Sequence, residues 1–281
     1  MSTQSSNRFV CIIHLSLLVC RRHLASYSHK KSPRKFTQPQ LMTCLILRAL
    51  TKTTYRGLLE LLEVSPVLQE ALGLKALPHF STLQCFAERL NPELIDSLLG
   101  QVLKEVEVDG DSVAIDATGM STTSASAHYI ARSGKTRERW VKLSVAVLIG
   151  PILAVSLICS WGPSNDLVEA PDVLARAAAR VPVRQVLADC GYDSEGFHQS
   201  CRKDYGIESL IPLQPRRNAA VVSGEYRNQM KQMPEAYGRR WHVESFFSGL
   251  KRITGDGLLA RKPQALFVEA ALRVLAYTIR R

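Results

Sequence analysis

The apolar positions change their period along the chain. From Gln40 to Leu62 they recur at helical spacing, with Leu41, Leu45, Leu50, Leu58 and Leu62 on the pattern. Pro66 and Pro78 interrupt it. Ser81 is placed to cap a helix through Leu90, and Asn91-Pro92 to start another through Lys104. This predicts a compact set of short helices over residues 40–106. The Ser81–Leu90 segment has the place of a reading helix in a helix-turn-helix, a pattern that ordinary helix packing produces as well.

After Asp109-Gly110 the period shortens. Ser112 to Ile115 reads as a strand ending at Asp116. Val141–Ile149 and Ile152–Ser160, joined by Gly150-Pro151, read as a hairpin. Asp166–Arg180 is an Ala-rich helical stretch, Arg184–Ala188 a strand ending at Asp189, Ser194–Asp204 a helix, Ile207–Ile211 a strand, and Glu235–Ile253 a long helix. The order β-β-β-α-β-α-β-α predicts an α/β fold, a mixed sheet flanked by helices and preceded by a small all-helical N-terminal domain.

Composition narrows the partners. Of 281 residues, 46% are hydrophobic and 22% charged, which excludes wholesale disorder. The net charge of +11 favours a polyanion such as nucleic acid. Residues 1–59 carry ten Lys/Arg and no acid, residues 60–115 are net −7, and residues 116–281 net +8. Residues 1–35 read as a basic leader, poorly ordered or upstream of the true start. Within it the apolar run Phe9–Cys20 reads as a short buried helix or an extension without a role. Its charge order, with Arg21-Arg22 after the run, does not fit a secretory signal. Ser28–Pro39 reads as a linker, residues 36–106 as a DNA-binding domain and 107–281 as a catalytic domain. The seven cysteines include no Cys-x-x-Cys pair, so buried thiols in a reducing compartment are expected. No apolar run reaches the roughly 18 residues of a spanning helix, so no membrane partner is expected.

Asp116 and Asp189 stand where ligand and metal sites gather in open α/β sheets, although turn or capping duty is the ordinary role of such an acid. The last long helix carries a sharper pattern. Tyr237, Arg240, Glu244 and Lys251 lie at offsets 0, 3, 7 and 14, near 0°, −60°, −20° and −40° at about 100° per residue. Val243, Phe246, Leu250 and Ile253 take the other face. An acid, two cations and a phenol on one face suit a carboxylate that binds a metal beside phosphates held by Arg and Lys.

On these residues the chain resembles insertion-sequence transposases of the DDE class. It resembles the group with a Y-x2-R-x3-E-x6-K signature that includes insertion sequences four and five. The signature runs from Tyr237 through Arg240 and Glu244 to Lys251. Ile-Asp116-Ala-Thr-Gly, Ala-Asp189-Cys-Gly-Tyr-Asp, Pro215-Arg-Arg-Asn and the later Leu-Leu-Ala-Arg extend the match over roughly residues 36–281. The resemblance implies an RNase H-like catalytic core with Asp116, Asp189 and Glu244 as both catalytic residues and metal ligands. The spacing of 55 positions from Asp189 to Glu244 leaves no room for the large β-insertion of some relatives.

The implied cofactor is Mg²⁺, two ions roughly 3.5–4 Å apart, with Mn²⁺ as a substitute. The implied reaction is phosphodiester hydrolysis at transposon ends followed by strand transfer into target DNA. Tyr237, Arg240, Lys251, Arg216, Arg217 and Arg252 are the expected DNA-binding residues. Arg227, Lys231, Arg239, Arg261 and Lys262 extend the basic surface along the DNA backbone. Trp241 reads as a rim or core residue, and His128, His198 and His242 as structural. Asp166 and Asp193 are expected in turns or caps. A homodimer and a cytoplasmic, nucleoid-associated location follow from the resemblance. The alternatives are a catalytically silent, transposase-derived DNA-binding protein, and an RNase H-like nuclease that cuts without joining. The first predicts loss of an acid, and all three are present.

Overall fold

The computed structural model describes residues 7–122, 139–214 and 222–281. The chain divides into two compact units. The first comprises Met1–Val106, Ser121–Ala125 and Leu250–Arg281, the second Glu107–Met120 and Ser126–Gly249.

The first unit is helical. Helix α1 spans Arg8–His23, with Asn7 capping it through the Phe9 amide at 2.9 Å. Residues Arg8–His23 of the leader are thus helical. Val10, Ile12, Ile13, Leu17, Val19 and Cys20 are buried, and a helix with that much apolar surface orders when neighbours cover it. Its neighbours are α2 (Gln38–Thr51), α4 (Pro66–Leu72), α6 (Pro92–Glu105) and α11 (Pro263–Arg280). The helix expected from Gln40 to Leu62 is in fact two. Lys52 takes a left-handed conformation that ends α2, and the Thr54 side chain caps α3 (Tyr55–Glu63) through the Gly57 amide. A run of Thr51, Thr53 and Thr54 supplies cap formers where a continuous helix needs good helix formers. His79 rather than Ser81 caps α5 (Phe80–Ala87). Asn91 starts α6, with Pro92 in its first turn, as expected. The last helix, α11, is largely buried, with Leu266, Ala270, Val274 and Leu275 among its core residues.

The second unit holds the sheet. Among the described residues five strands are ordered β3-β2-β1-β4-β5. They are β1 (Ser112–Met120), β2 (Trp140–Leu148), β3 (Leu153–Gly162), β4 (Gln185–Leu187) and β5 (Glu208–Leu210). β2 runs antiparallel to β1 and β3, whereas β4 and β5 continue parallel to β1. This is the mixed RNase H-like sheet expected. β1 is longer than its apolar run foretold: it continues through Asp116, paired across from Val145, to Met120. The antiparallel ladder to β2 carries the polar half of the strand. The Ala-rich stretch begins as a 3₁₀ turn (Asp166–Val168) and becomes α7 only from Ala170 to Ala178. Pro171 lacks the N–H that a continuous helix from Asp166 would use there. The 3₁₀ turn is held by Lys142 of β2, whose buried Nζ lies 2.9 Å from Asp166 and 2.7 Å from Glu169.

Candidate active site

Asp116 sits in mid-strand, its Oδ1 accepting the Ala117 amide at 2.8 Å. In the neighbouring strand the chain leaves β4 at Ala188, and Asp189 caps a 3₁₀ turn through the Gly191 amide at 2.8 Å. The turn is why an Asp belongs there locally: its short carboxylate satisfies the first free N–H. Burial, the largest influence, pushes the Asp116 carboxyl up to about 6, and the Asp189 charge acts in the same direction. The Ala117 amide and Arg240 oppose that rise. The two aspartates therefore share one negative field, as neighbouring carboxylates do.

The Tyr–Arg–Glu–Lys signature does not lie on one continuous α-helix. Glu235–Arg240 is a 3₁₀ segment, and α10 runs from Trp241 to Thr254. The face expected from 100° per residue therefore holds only from Trp241 on. Arg240 still collects its partners. Its guanidinium lies 3.5 Å from Asp116 Oδ2 and pairs closely with Glu244 four residues on. One arginine thus joins β1 to α10 and bridges two of the three acids. Glu244 is exposed and Asp116 is mostly covered. Lys251 is two turns along α10, in the part of the chain that belongs to the first unit. Arg252 is exposed. Arg216, Arg217 and His128 lie outside the described residues.

Carboxylate oxygens beside a mostly buried aspartate suit a hard divalent cation such as Mg²⁺. The Asp116 carboxyl is raised first by its burial, and Arg240 is the cation beside it. Among the described residues no three His, Cys, Asp or Glu side chains converge closely enough to hold an ion. The chemistry of the donor set fits; with Glu244 turned to Arg240 the set is open.

Other expectations divide. Asp193 is no simple turn residue. It is buried in a two-pronged pair with Arg227, at 2.6 and 2.7 Å, and accepts the Gln214 amide at 2.8 Å. Arg227 is therefore spent inside the protein and does not extend the basic surface. Arg239 donates to Gln185, and Lys262 pairs with Glu88. His198 is buried and bonded to Ser209, in keeping with a structural histidine. His242 lies against the Arg239 carbonyl and under the exposed Trp241 ring. Asp166 pairs with Lys142. One residue had no signal in the sequence beyond its place after Asp189. Tyr192 is fully buried, and its hydroxyl has no hydrogen-bond partner. Burial first, and then the charges of Asp116, Asp166, Asp189 and Glu169, hold it firmly in the protonated form.

Asp116 thus lies on β1, and Asp189 follows the end of the neighbouring strand β4. The model of a family described as the transposase DDE domain matches residues 109–279. The chain belongs to that family, and its members are DNA transposases, enzymes that cleave DNA and transfer strands. No curated protein sequence matches the chain. Among solved structures it is similar to a piggyBac transposase synaptic complex with hairpin DNA. The identity is 10% and the TM-score 0.45, over 98% of this chain and 72% of that one. No helix among the described residues is long and apolar enough to cross a membrane.

Proposed function

We propose that Asp116, Asp189 and Glu244 are the three acids of this transposase, and that they bind the divalent cations it uses. The observation that carries the reading is the joint hold of Arg240 on Asp116 and Glu244, beside the Asp189 field. It brings the first and last acids of the sequence pattern to one cation. Bound Mg²⁺ supplies Lewis acidity to the attacking oxygen and charge neutralisation to the leaving one.

The chain's own groups do the rest. Arg240 exchanges its carboxylates for a phosphate oxygen when DNA enters, since guanidinium binds either anion in the same two-pronged way. Tyr237 and Lys251, by their places in the signature, are further phosphate-binding residues. In the first step water attacks the phosphorus at the transposon end and the 3′-oxygen leaves with a proton. In the second, that 3′-hydroxyl attacks a target phosphodiester and displaces the target's own 3′-oxygen. Neither step needs a covalent protein intermediate. The helical residues 36–106 serve DNA binding in this reading, and Arg216, Arg217 and Arg252 bind backbone phosphates. The signature assigns the chain to the group of insertion sequences four and five, and the working form is a homodimer at the nucleoid.

Cleavage of DNA carrying the element's own ends tests this. Replacing any one acid by its amide is expected to lower the Mg²⁺-dependent rate by roughly 10³-fold or more while the DNA is still bound. An Asp116→Asn, Asp189→Asn or Glu244→Gln protein that cuts at the wild-type rate would remove that residue from the site.

A further inference from the structure

We propose that the first unit carries a phosphate-binding pocket of its own, which takes a backbone phosphate of a DNA strand. The pocket has a volume of ≈ 370 Å³ and is bounded by α2, α3, α5, α11 and the turn before α11. Arg48, Tyr55, Gln84, Leu259, Arg261 and Ala265 line it. The inference rests on the chain acting on DNA and not on the roles of the three acids.

Two independent features point to an anion. The first is Arg48. It is 7% exposed, and its Nε is buried without a hydrogen-bond partner. The guanidinium is 4.3 Å from the centre of the Tyr55 ring, and its nearest carboxylate, Glu269, is 3.8 Å away. That carboxylate is already satisfied. Glu269 accepts the Ala260 amide at 2.8 Å, the Leu259 amide at 3.0 Å and Arg273 at 2.9 Å. Arg48 is thus a buried cation with weak compensation, and such a group is costly unless something completes it. The second feature is the start of α11. This 18-residue helix begins without a side-chain cap, and Ala265 of its first turn lines the pocket. Uncapped amides and the helix dipole favour an anion there. Exposed Arg261 stands at the rim. The other acid of the lining, Glu88, is engaged by Lys262 at 2.8 Å.

A phosphate at the helix start completes both features. The volume leaves room for the attached sugar, with Leu259 and Ala260 as its apolar wall. A strand backbone, free inorganic phosphate and a mononucleotide share this chemistry, so each is a separate arm of the test.

The full chain is titrated at low salt with inorganic phosphate, thymidine monophosphate and a five-residue thymidine oligonucleotide. Binding is read by thermal shift and by photocrosslinking of the bromouracil form of the oligonucleotide. The oligonucleotide is expected to raise the Tm and to crosslink to Tyr55 or to the 259–262 segment. Ala265→Glu puts a carboxylate at the helix start, where it favours the fold and fills the anion position. It is expected to weaken oligonucleotide binding about tenfold or more, as is Arg261→Ala to a smaller degree. Arg48→Met is expected to keep or raise the Tm without ligand and to lose the ligand-induced rise, since it removes a poorly paired buried charge. A lower Tm for Arg48→Met alone would make Arg48 structural and overturn the proposal. So would crosslinks elsewhere only, or an unchanged response in Ala265→Glu. A response to phosphate or the mononucleotide without one to the oligonucleotide would overturn the assignment to a DNA strand. The state of the three acids affects none of these readouts, so a failed cleavage test leaves this one standing.

Discussion

The burial of Asp116 carries a cost to the fold. Burial raises its carboxyl from the ordinary 3.8 to about 6, against the pull of Arg240. A carboxyl raised in this way favours the folded state fully below pH 3.8, and the benefit is lost as the pH rises through 6. Asparagine has no such dependence. At pH 7 and without divalent cations, Asp116→Asn is therefore expected to melt a few degrees higher than the wild type, with the gap closing towards pH 4. Thermal melts across that range check it; an Asn variant that melts lower at pH 7 would mean that the Arg240 pair outweighs the burial. At this scale the two aspartates stood out because each follows an apolar run, and Arg240 and Glu244 because their spacing is that of helical neighbours. The Asp193–Arg227 pair was not, because 34 residues separate partners that only the folded sheet brings together. Nor was the orphan hydroxyl of Tyr192, since an aromatic after a strand reads as core whatever its hydroxyl meets.

Elements were read best where one force decides them. The β2–β3 hairpin and the order of strands and helices follow from apolar alternation and from the Gly150-Pro151 turn. Boundaries moved where two forces compete: β1 runs past its apolar half because β2 pairs with its polar half, and the long helix at Glu235 starts as a 3₁₀ segment. Arg240 and Glu244 nevertheless span the junction and keep their i, i+4 contact. Helix α1 is the clearest case of an element whose apolar run was visible but whose partners were not. Ile13 is fully buried in it. Ile13→Ala is expected to cost about 2–4 kcal/mol of stability, measured by urea unfolding. A loss under about 0.5 kcal/mol would mean that the helix contributes little to the fold.

For the whole molecule, charge and chain order matter more than any single contact. The two units are interleaved in sequence, since Leu250–Arg281 joins the helical residues that precede the sheet. Sequence periodicity carries no sign of this, because it reports which face of a helix is buried and not against what. The net charge of +11 predicts DNA affinity that falls steeply with salt through counterion release. Replacing Arg216 and Arg217 together is expected to reduce the slope of log K against log salt by about two. An unchanged slope would take both residues off the DNA.

The most direct measurement is strand transfer by pre-cut transposon ends into a supercoiled plasmid, with Mg²⁺, by the wild type and by Glu244→Gln. Three acids serving one transposase site predict joined products from the wild type and none above background from the variant, with both proteins bound to the ends. Joining by the Glu244→Gln protein at the wild-type level, or cutting by the wild type without any joining, would contradict it.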